Sequence, residues 1–412
     1  MAEPGAVVAV VGGATRRASG ADQSCGYERI AGARTVSGGV GLLAGDMVVA
    51  KVLVPGSGTA AHLVAVRRES GQVVWESQAT ILDAGALDGK LWVMETDHSL
   101  NGISERDGSL VWHTQLGADT QVVSEEGALL YVQNSRQDLM AYRVADGLLQ
   151  WQAADAGQLL KVDQGLVYTY QGLVAVPSKK QASASKYLMA LRVSDGHSVW
   201  VATSLKSMPL AVKIANGVVY SYGASAVLTA IRVSDNRLLW RRPMGPQESL
   251  IEVAGGLVYI ENAQISELVV LNAQTGAPAW RYLSGNASVV AVQPQMVYLR
   301  DTQGITALNT RNGSLVWLYE TSIAISDVQL QGGSIYVVSE QDGVVNAVNG
   351  RNGNLLWHYD IGDPGHSYSN ARGYVVQIDQ GVVYLVLHND TSLNALSVLD
   401  REILWHTSLI LH

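Results

Sequence analysis

Phenylalanine is absent from this 412-residue chain, although it holds 17 tyrosines and 10 tryptophans. No physical account of that omission follows from the composition. Cysteine occurs once, at Cys25, which excludes an intramolecular disulfide and any cysteine-based metal site. A lone thiol suits a reducing cytoplasm, and it equally suits an envelope protein that makes no disulfides. Charge is sparse: charged residues are 16% of the chain, the net charge is −8 and the pI is near 5.6. A nucleic-acid binder needs a basic face, and none is present. The basic cluster of note is Lys179, Lys180 and Lys186. Long apolar runs are missing too. The run Ala6–Gly13 is too short to cross a bilayer. Its arginines, Arg16 and Arg17, follow it, where a signal peptide would carry them in front. No targeting segment is visible, and no membrane insertion is expected. Helical periodicity is absent throughout.

What is present is a repeat. Nine tryptophans recur in one position: Trp75, Trp112, Trp151, Trp200, Trp240, Trp280, Trp317, Trp357 and Trp405. Their spacings are 37, 39, 49, 40, 40, 37, 40 and 48 residues. A period near 40 suits a four-stranded propeller blade. Four residues before each Trp stands a turn residue, which is Gly in seven units, Asn236 in one and Arg401 in the last. Gly and Asn tolerate the left-handed backbone of hairpin turns. Ten residues before each Trp stands Ala, with Gly102 and Val270 as exceptions. A small residue at a fixed strand position implies close approach by a neighbour, expected to be the adjacent blade. A third column holds Tyr131, Tyr168, Tyr220, Tyr259, Tyr298, Tyr336 and Tyr384, with Trp92 standing in for Tyr. The intervening segments are short, β-branched and apolar, as strands buried on both faces are.

Each unit therefore reads as strand A, tight turn, strand B, loop, strand C, tight turn, strand D. One such sheet cannot bury both faces alone, and stacking around a ring solves this. The expected fold is all-β: a β-propeller of four-stranded antiparallel blades, with nine units counted and an eight-bladed ring as the alternative. Residues 29–412 are assigned to the propeller as a single domain and residues 1–28 to a poorly ordered tail. Residues 29–38 are a candidate for an added closing strand.

The motifs Ala347–Trp357 (AVNGRNGNLLW) and Val270–Trp280 (VLNAQTGAPAW) resemble the PQQ-like propeller repeat of the quinoprotein and outer-membrane-assembly type. The resemblance covers roughly residues 40–408. It implies a blade-locking, structural role for the nine tryptophans. The chain departs from that pattern at the Asp position, which holds Arg67, Ser104, Arg143, Arg192, Arg232, Asn272, Asn309, Asn349 and Ser397. The resemblance also implies two functions. One is a non-enzymatic bacterial envelope scaffold, extracytoplasmic and without a cofactor, that binds another protein or an envelope component as a monomer. The alternative is a quinoprotein dehydrogenase that binds PQQ and calcium. Such enzymes often carry a vicinal cysteine pair, and this chain has a single Cys. No G-x-S-x-G, H-E-x-x-H or P-loop pattern supports other chemistry.

Strand parity locates a candidate site. The A–B and C–D turns share one face and are uniformly tight. The B–C and D–A connections share the other and carry the long insertions Val54–His62, Tyr170–Lys186 and Gly362–Arg372. Loops on a rigid scaffold are where binding resides. The candidate binding residues on that face are Lys179, Lys180, Lys186, His366 and Tyr368. Asp97-His98 and His388-Asn389-Asp390 could meet at the channel mouth. His113, His358 and His406 each follow a repeat Trp, which marks a repeat position and not a metal site. Asn286, Asn312 and Asn389 head N-x-[ST] triplets, which occur by chance at this length.

Overall fold

The computed structural model describes residues 8–9, 41–53, 61–77, 79–87, 89–171, 187–202, 209–223, 225–285, 287–339, 344–360, 373–379, 381–387, 392–397 and 403–409. Strands are the regular elements among them. They form nine successive four-stranded antiparallel units, each contiguous in sequence. The A strands are Gly41–Ala44, Ile81–Leu87, Gln121–Glu126, Gln158–Asp163, Pro209–Ala215, Glu248–Ala254, Ser288–Val292, Asp327–Gln331 and Gly373–Asp379. The first two units join edge to edge through one pairing, Ala61 with Ile81. Neighbouring sheets approach one another through their A strands, as at Pro209–Ala215 against Glu248–Ala254. The sheets therefore radiate, with A strands innermost and D strands at the rim. The ninth unit packs on the first: Val48, Val64 and Val66 share one apolar cluster with Tyr384, Ala395 and Trp405. The set of sheets thus closes on itself.

The three sequence columns lie in one cross-strand row. In the third unit, Tyr131 pairs with Ala141 and Ala141 with Trp151. The Tyr and Trp rings close over the small residue, with centroids 6.0 Å apart there and 5.9 Å apart in the fifth, seventh and eighth units. The small residue is crowded by two rings of its own sheet, and it also shares an apolar cluster with the adjacent blade, as Ala141 does with Val167 and Leu191. The exceptions obey the same geometry. Where Trp92 replaces Tyr, two indoles share the row and the residue between them shrinks to Gly102. A Cβ at that position would lie 2.0 Å from Trp112 Nε1. Where Val270 replaces Ala, the Tyr259 and Trp280 rings turn edge-on, at 73° and 6.2 Å.

A β-bulge follows this row in every unit, always between strands C and D, as between Ala347 and Val348. The residue before each Trp is the extra one. Bulges twist an edge strand and blunt it against stray pairing, which suits the rim.

Within the segment assigned to a poorly ordered tail, Val8–Ala9 forms a short strand. It pairs antiparallel with the A strand of the seventh unit. Residues 29–38, the candidate closing strand, lie outside the described residues. Every unit supplies its own four strands, so closure is a side-chain contact between sheets.

Candidate binding face

The tight-turn face is taken up by a staple that recurs from unit to unit. Eight of the nine repeat indoles donate from Nε1 to the next unit's C–D turn. Trp75 donates to Glu105 O at 2.8 Å, Trp112 to Val144 O at 2.9 Å and Trp151 to Val193 O at 2.6 Å. Trp240 donates to Ala273 O at 2.8 Å, Trp280 to Thr310 O at 2.7 Å and Trp317 to Gly350 O at 3.1 Å. Trp405 closes the set by donating to Arg68 O at 2.7 Å. The fourth unit varies the chemistry: Trp200 donates to the Asn236 side chain at 2.9 Å. Residues 398–402 of the ninth unit lie outside the described residues. Two tyrosines double the staple, Tyr220 onto Ala273 O and Tyr298 onto Gly350 O.

The turn glycine explains itself here. Gly313 has φ +69°, and a Cβ on it would lie 2.4 Å from the Trp280 ring. The indole lies flat against the next turn, so the position needs both a left-handed backbone and no side chain.

The departures from the family's Asp column are also structural. Asn272, Asn309 and Asn349 accept their own turn's backbone amides. Where the column holds Arg, an Asp three residues on caps the turn and pairs with it, at 2.6 Å for Arg143–Asp146 and 3.2 Å for Arg232–Asp235. Arg67 instead pairs with Asp46 of the A–B turn at 3.0 Å. A shallow groove on this face, between the third and fourth units, is lined by Leu129, Arg143, Gln150, Arg192, Val193 and Ser194. Sequence reasoning missed it. Its signal was the recurrence of Arg-Val-Ala-Asp and Arg-Val-Ser-Asp in adjacent turns.

The opposite face carries the B–C and D–A connections. Lys179, Lys180 and Lys186 on one loop, and His366 and Tyr368 on another, lie outside the described residues. So do His388, Asn389, Asp390 and Asn286. The described part of this face is acidic and locally self-locked. Ser135 donates to Asp119 at 2.5 Å, tying the third unit's B–C loop to the connection before it. Asn134 donates to Asp138 at 2.9 Å, and Asp138 accepts the Asp155 amide at 2.9 Å. These hydrogen bonds, the Ser135 hydroxyl first for Asp119 and the Asn134 amide first for Asp138, hold both carboxyls below the usual range. Asp97 is held low in the same way by Ser99. His98 follows it with φ 63°, a left-handed turn position.

The recurrent histidines are held by their own sheets. His113 Nδ1 lies 2.8 Å from Asn101 Oδ1, and His358 Nδ1 lies 2.7 Å from Asn346 Oδ1. Both asparagines are buried on strand C. Asn312 is a turn cap that accepts the Ser314 amide at 3.1 Å. Among the described residues no group of three or more His, Cys, Asp or Glu converges to hold a metal ion. No helix is long and apolar enough to cross a membrane among them.

The chain is similar in sequence to known proteins. The family described as outer membrane protein assembly factor BamB matches residues 11–176, 59–282 and 184–324, which together exceed half of the chain. A protein of that name from Moranella endobia (strain PCIT) is 21% identical over 310 residues, covering 68% of this chain and 79% of its own length. Its namesake from Yersinia pestis is 23% identical over 261 residues, covering 58% of this chain and 56% of its own length. Among solved structures, BamB from Moraxella catarrhalis aligns with a TM-score of 0.46 at 14% identity, covering 73% of this chain and 92% of that one. The computationally designed Ika8 protein aligns with a TM-score of 0.47 at 10% identity, covering 87% and 95%. With most of its length matched by that repeat pattern, the chain belongs to the outer membrane protein assembly factor BamB family of PQQ-like propeller proteins.

Proposed function

We propose that this chain is a non-enzymatic propeller scaffold of a bacterial cell envelope. It works outside the cytoplasm, as a monomer without a cofactor. It binds a protein component of outer-membrane protein assembly through the face of B–C and D–A loops. Family membership supports the coarse reading. Both curated relatives carry the name outer membrane protein assembly factor.

The choice of face rests on one observation: the staple occupies the other one. The C–D turns spend their carbonyls on indoles and their flat backbone on indole faces. Change there loosens the ring, whereas loops on the opposite face are free to vary in length and charge. The lysines of residues 179–186 would meet an acidic partner surface, and His366 and Tyr368 would add an aromatic contact.

Complementation tests this. In cells lacking their own BamB-type protein, the intact chain, exported to the periplasm, should restore assembled outer-membrane protein levels. Replacing Val176–Ser185 by a Gly-Ser linker should abolish that rescue while leaving far-ultraviolet circular dichroism and the urea midpoint unchanged. Full rescue by the linker variant would refute the role of that loop.

A further inference from the structure

All nine A strands turn one edge toward the middle of the ring. A free strand edge offers unpaired N–H and C=O groups, and charged side chains are the common guard against unwanted pairing. Seven of the nine A strands carry at least one Asp, Glu or Lys, such as Asp83, Glu125 or Lys161. The two without are Gly41–Ala44, only four residues long, and Ser288–Val292. The unguarded edge of normal length is the one on which Val8 pairs with Val292 and Ala9 with Ala291. Val289, Val290, Ala291 and Val292 are all buried, whereas every residue of Asp327–Gln331 in the next unit is partly exposed.

We propose that the inner edge of the seventh unit is a strand-addition site, and that its occupant is this chain's own N-terminal segment, paired at Val8–Ala9 and drawn from the apolar run Ala6–Gly13. The segment matches the edge chemically. It contains only Ala, Val and Gly, with no charge, and its valines favour extended backbone. An uncharged strand against an uncharged edge removes both from water, while the ladder satisfies the backbone groups. The tether does not choose the edge. Residues 10–40 can span roughly 100 Å when extended, so other units are also within reach and edge chemistry makes the selection. Tethering gives the segment a local concentration on the order of millimolar. That excludes a second chain from the uncharged edge of normal length, and it narrows the centre of the ring. This site is separate from the loop face and stands whether or not that face binds a partner.

Hydrogen exchange of the full chain tests the pairing. Peptides covering residues 288–292 are compared between the parent and the double variant Val8→Pro/Ala9→Pro, which removes whichever of the two adjacent N–H groups faces the edge and disfavours pairing of the segment. The substitutions lie outside the nine units, so folding is not at risk, and the urea midpoint checks that. The amides of Ser288–Val292 that point away from Met296–Arg300 should exchange about tenfold faster in the variant, the loss expected for one or two ladder bonds. Residues 121–126, an A strand with its own glutamates, should be unaffected. A control pair placed further along the tail, Ala21→Pro/Asp22→Pro, should keep parent protection. Adding the free peptide AVVAVVGG to the Val8→Pro/Ala9→Pro variant should restore slow exchange. Equal exchange in parent and double variant overturns the proposal, as does equal loss in the control pair.

Discussion

Gly71 sits at φ +69° in the first unit's C–D turn, with the Trp405 ring of the ninth unit against it. A Cβ there would lie 2.7 Å from indole Cδ2 and Cε3, far inside ordinary carbon contact. Gly71→Ala therefore carries three costs. The left-handed backbone costs alanine about 1 kcal/mol. The indole must move by several tenths of an ångström, which loosens its bond to Arg68 O and costs about 1 kcal/mol. Overpacking against neighbours that already fill the interface adds about 1–3 kcal/mol. The sum is about 3–5 kcal/mol. Gly333→Ala is the matched reference: φ is +81°, and a Cβ there would meet nothing within 4 Å, so only the backbone cost of about 1 kcal/mol applies. Urea unfolding followed by tryptophan emission gives both midpoints. The Gly71 variant should lose several times more stability than the Gly333 variant. Equal midpoints would refute both the staple and the closure of the ninth unit on the first.

Other consequences follow from the same row of side chains. Gly102→Ala should cost about 3 kcal/mol or more in urea unfolding, because the added Cβ meets the Trp112 indole at 2.0 Å. Burial pushes Tyr131, Tyr168 and Tyr220 up to about 12. The unfolded chain loses these protons near pH 10, so stability is intact below pH 10 and falls as pH rises from 10 toward 12. Tyrosinate absorbance should therefore lag in the folded protein and rise together with loss of circular dichroism. A smooth titration centred near 10 with the fold intact would contradict this. His113→Ala should cost about 1–2 kcal/mol, because it removes a partner of buried Asn101. Neither zinc nor a chelator should shift the parent's melting temperature.

The architecture was readable because repetition averages out local ambiguity. One AVNGRNGNLLW motif is a hairpin signal, and nine in phase leave few folds open. The strand order, the turn glycines and the pairing face of Trp405 all follow from that phase. The cause of the alanine column was not readable. Period alone shows that Ala141 and Ala347 must be small, but not whether the crowding ring belongs to their own sheet or to the next. Only the cross-strand register places Tyr131 and Trp151 on either side of Ala141. The Arg column was opaque for a related reason. Arg143 and Arg192 look like a departure from a conserved-type turn, yet Asp146 and Asp195 take over the capping from three residues downstream. The candidate lysines and His366 sit in insertions that no repeat position constrains. Sequence could mark where such loops leave the ring, but not how their side chains converge.

Closure also limits how such a ring can vary. Many propellers could in principle share one four-stranded unit between the two ends of the chain, but here the four strands of each unit are contiguous in sequence. The join between the ninth and first units is therefore built from parts that recur at other joins: an indole to a turn carbonyl, a ring on a glycine, and a tyrosine beside it. Arg68 adds a contact here, donating to the Tyr384 hydroxyl at 3.1 Å. With no closing strand among the described residues, the closing interface is expected to hold its ends together as strongly as an ordinary one. Opening at that seam leaves eight intact interfaces and two exposed sheet faces. A substitution at Gly71 should thus open the ring without unfolding any single sheet at low urea. The equivalent change at Gly313, between the sixth and seventh units, should open it to the same degree at a different place. Limited proteolysis would report the two openings at different sequence positions, and identical cleavage maps would rule out a ring of equivalent joins.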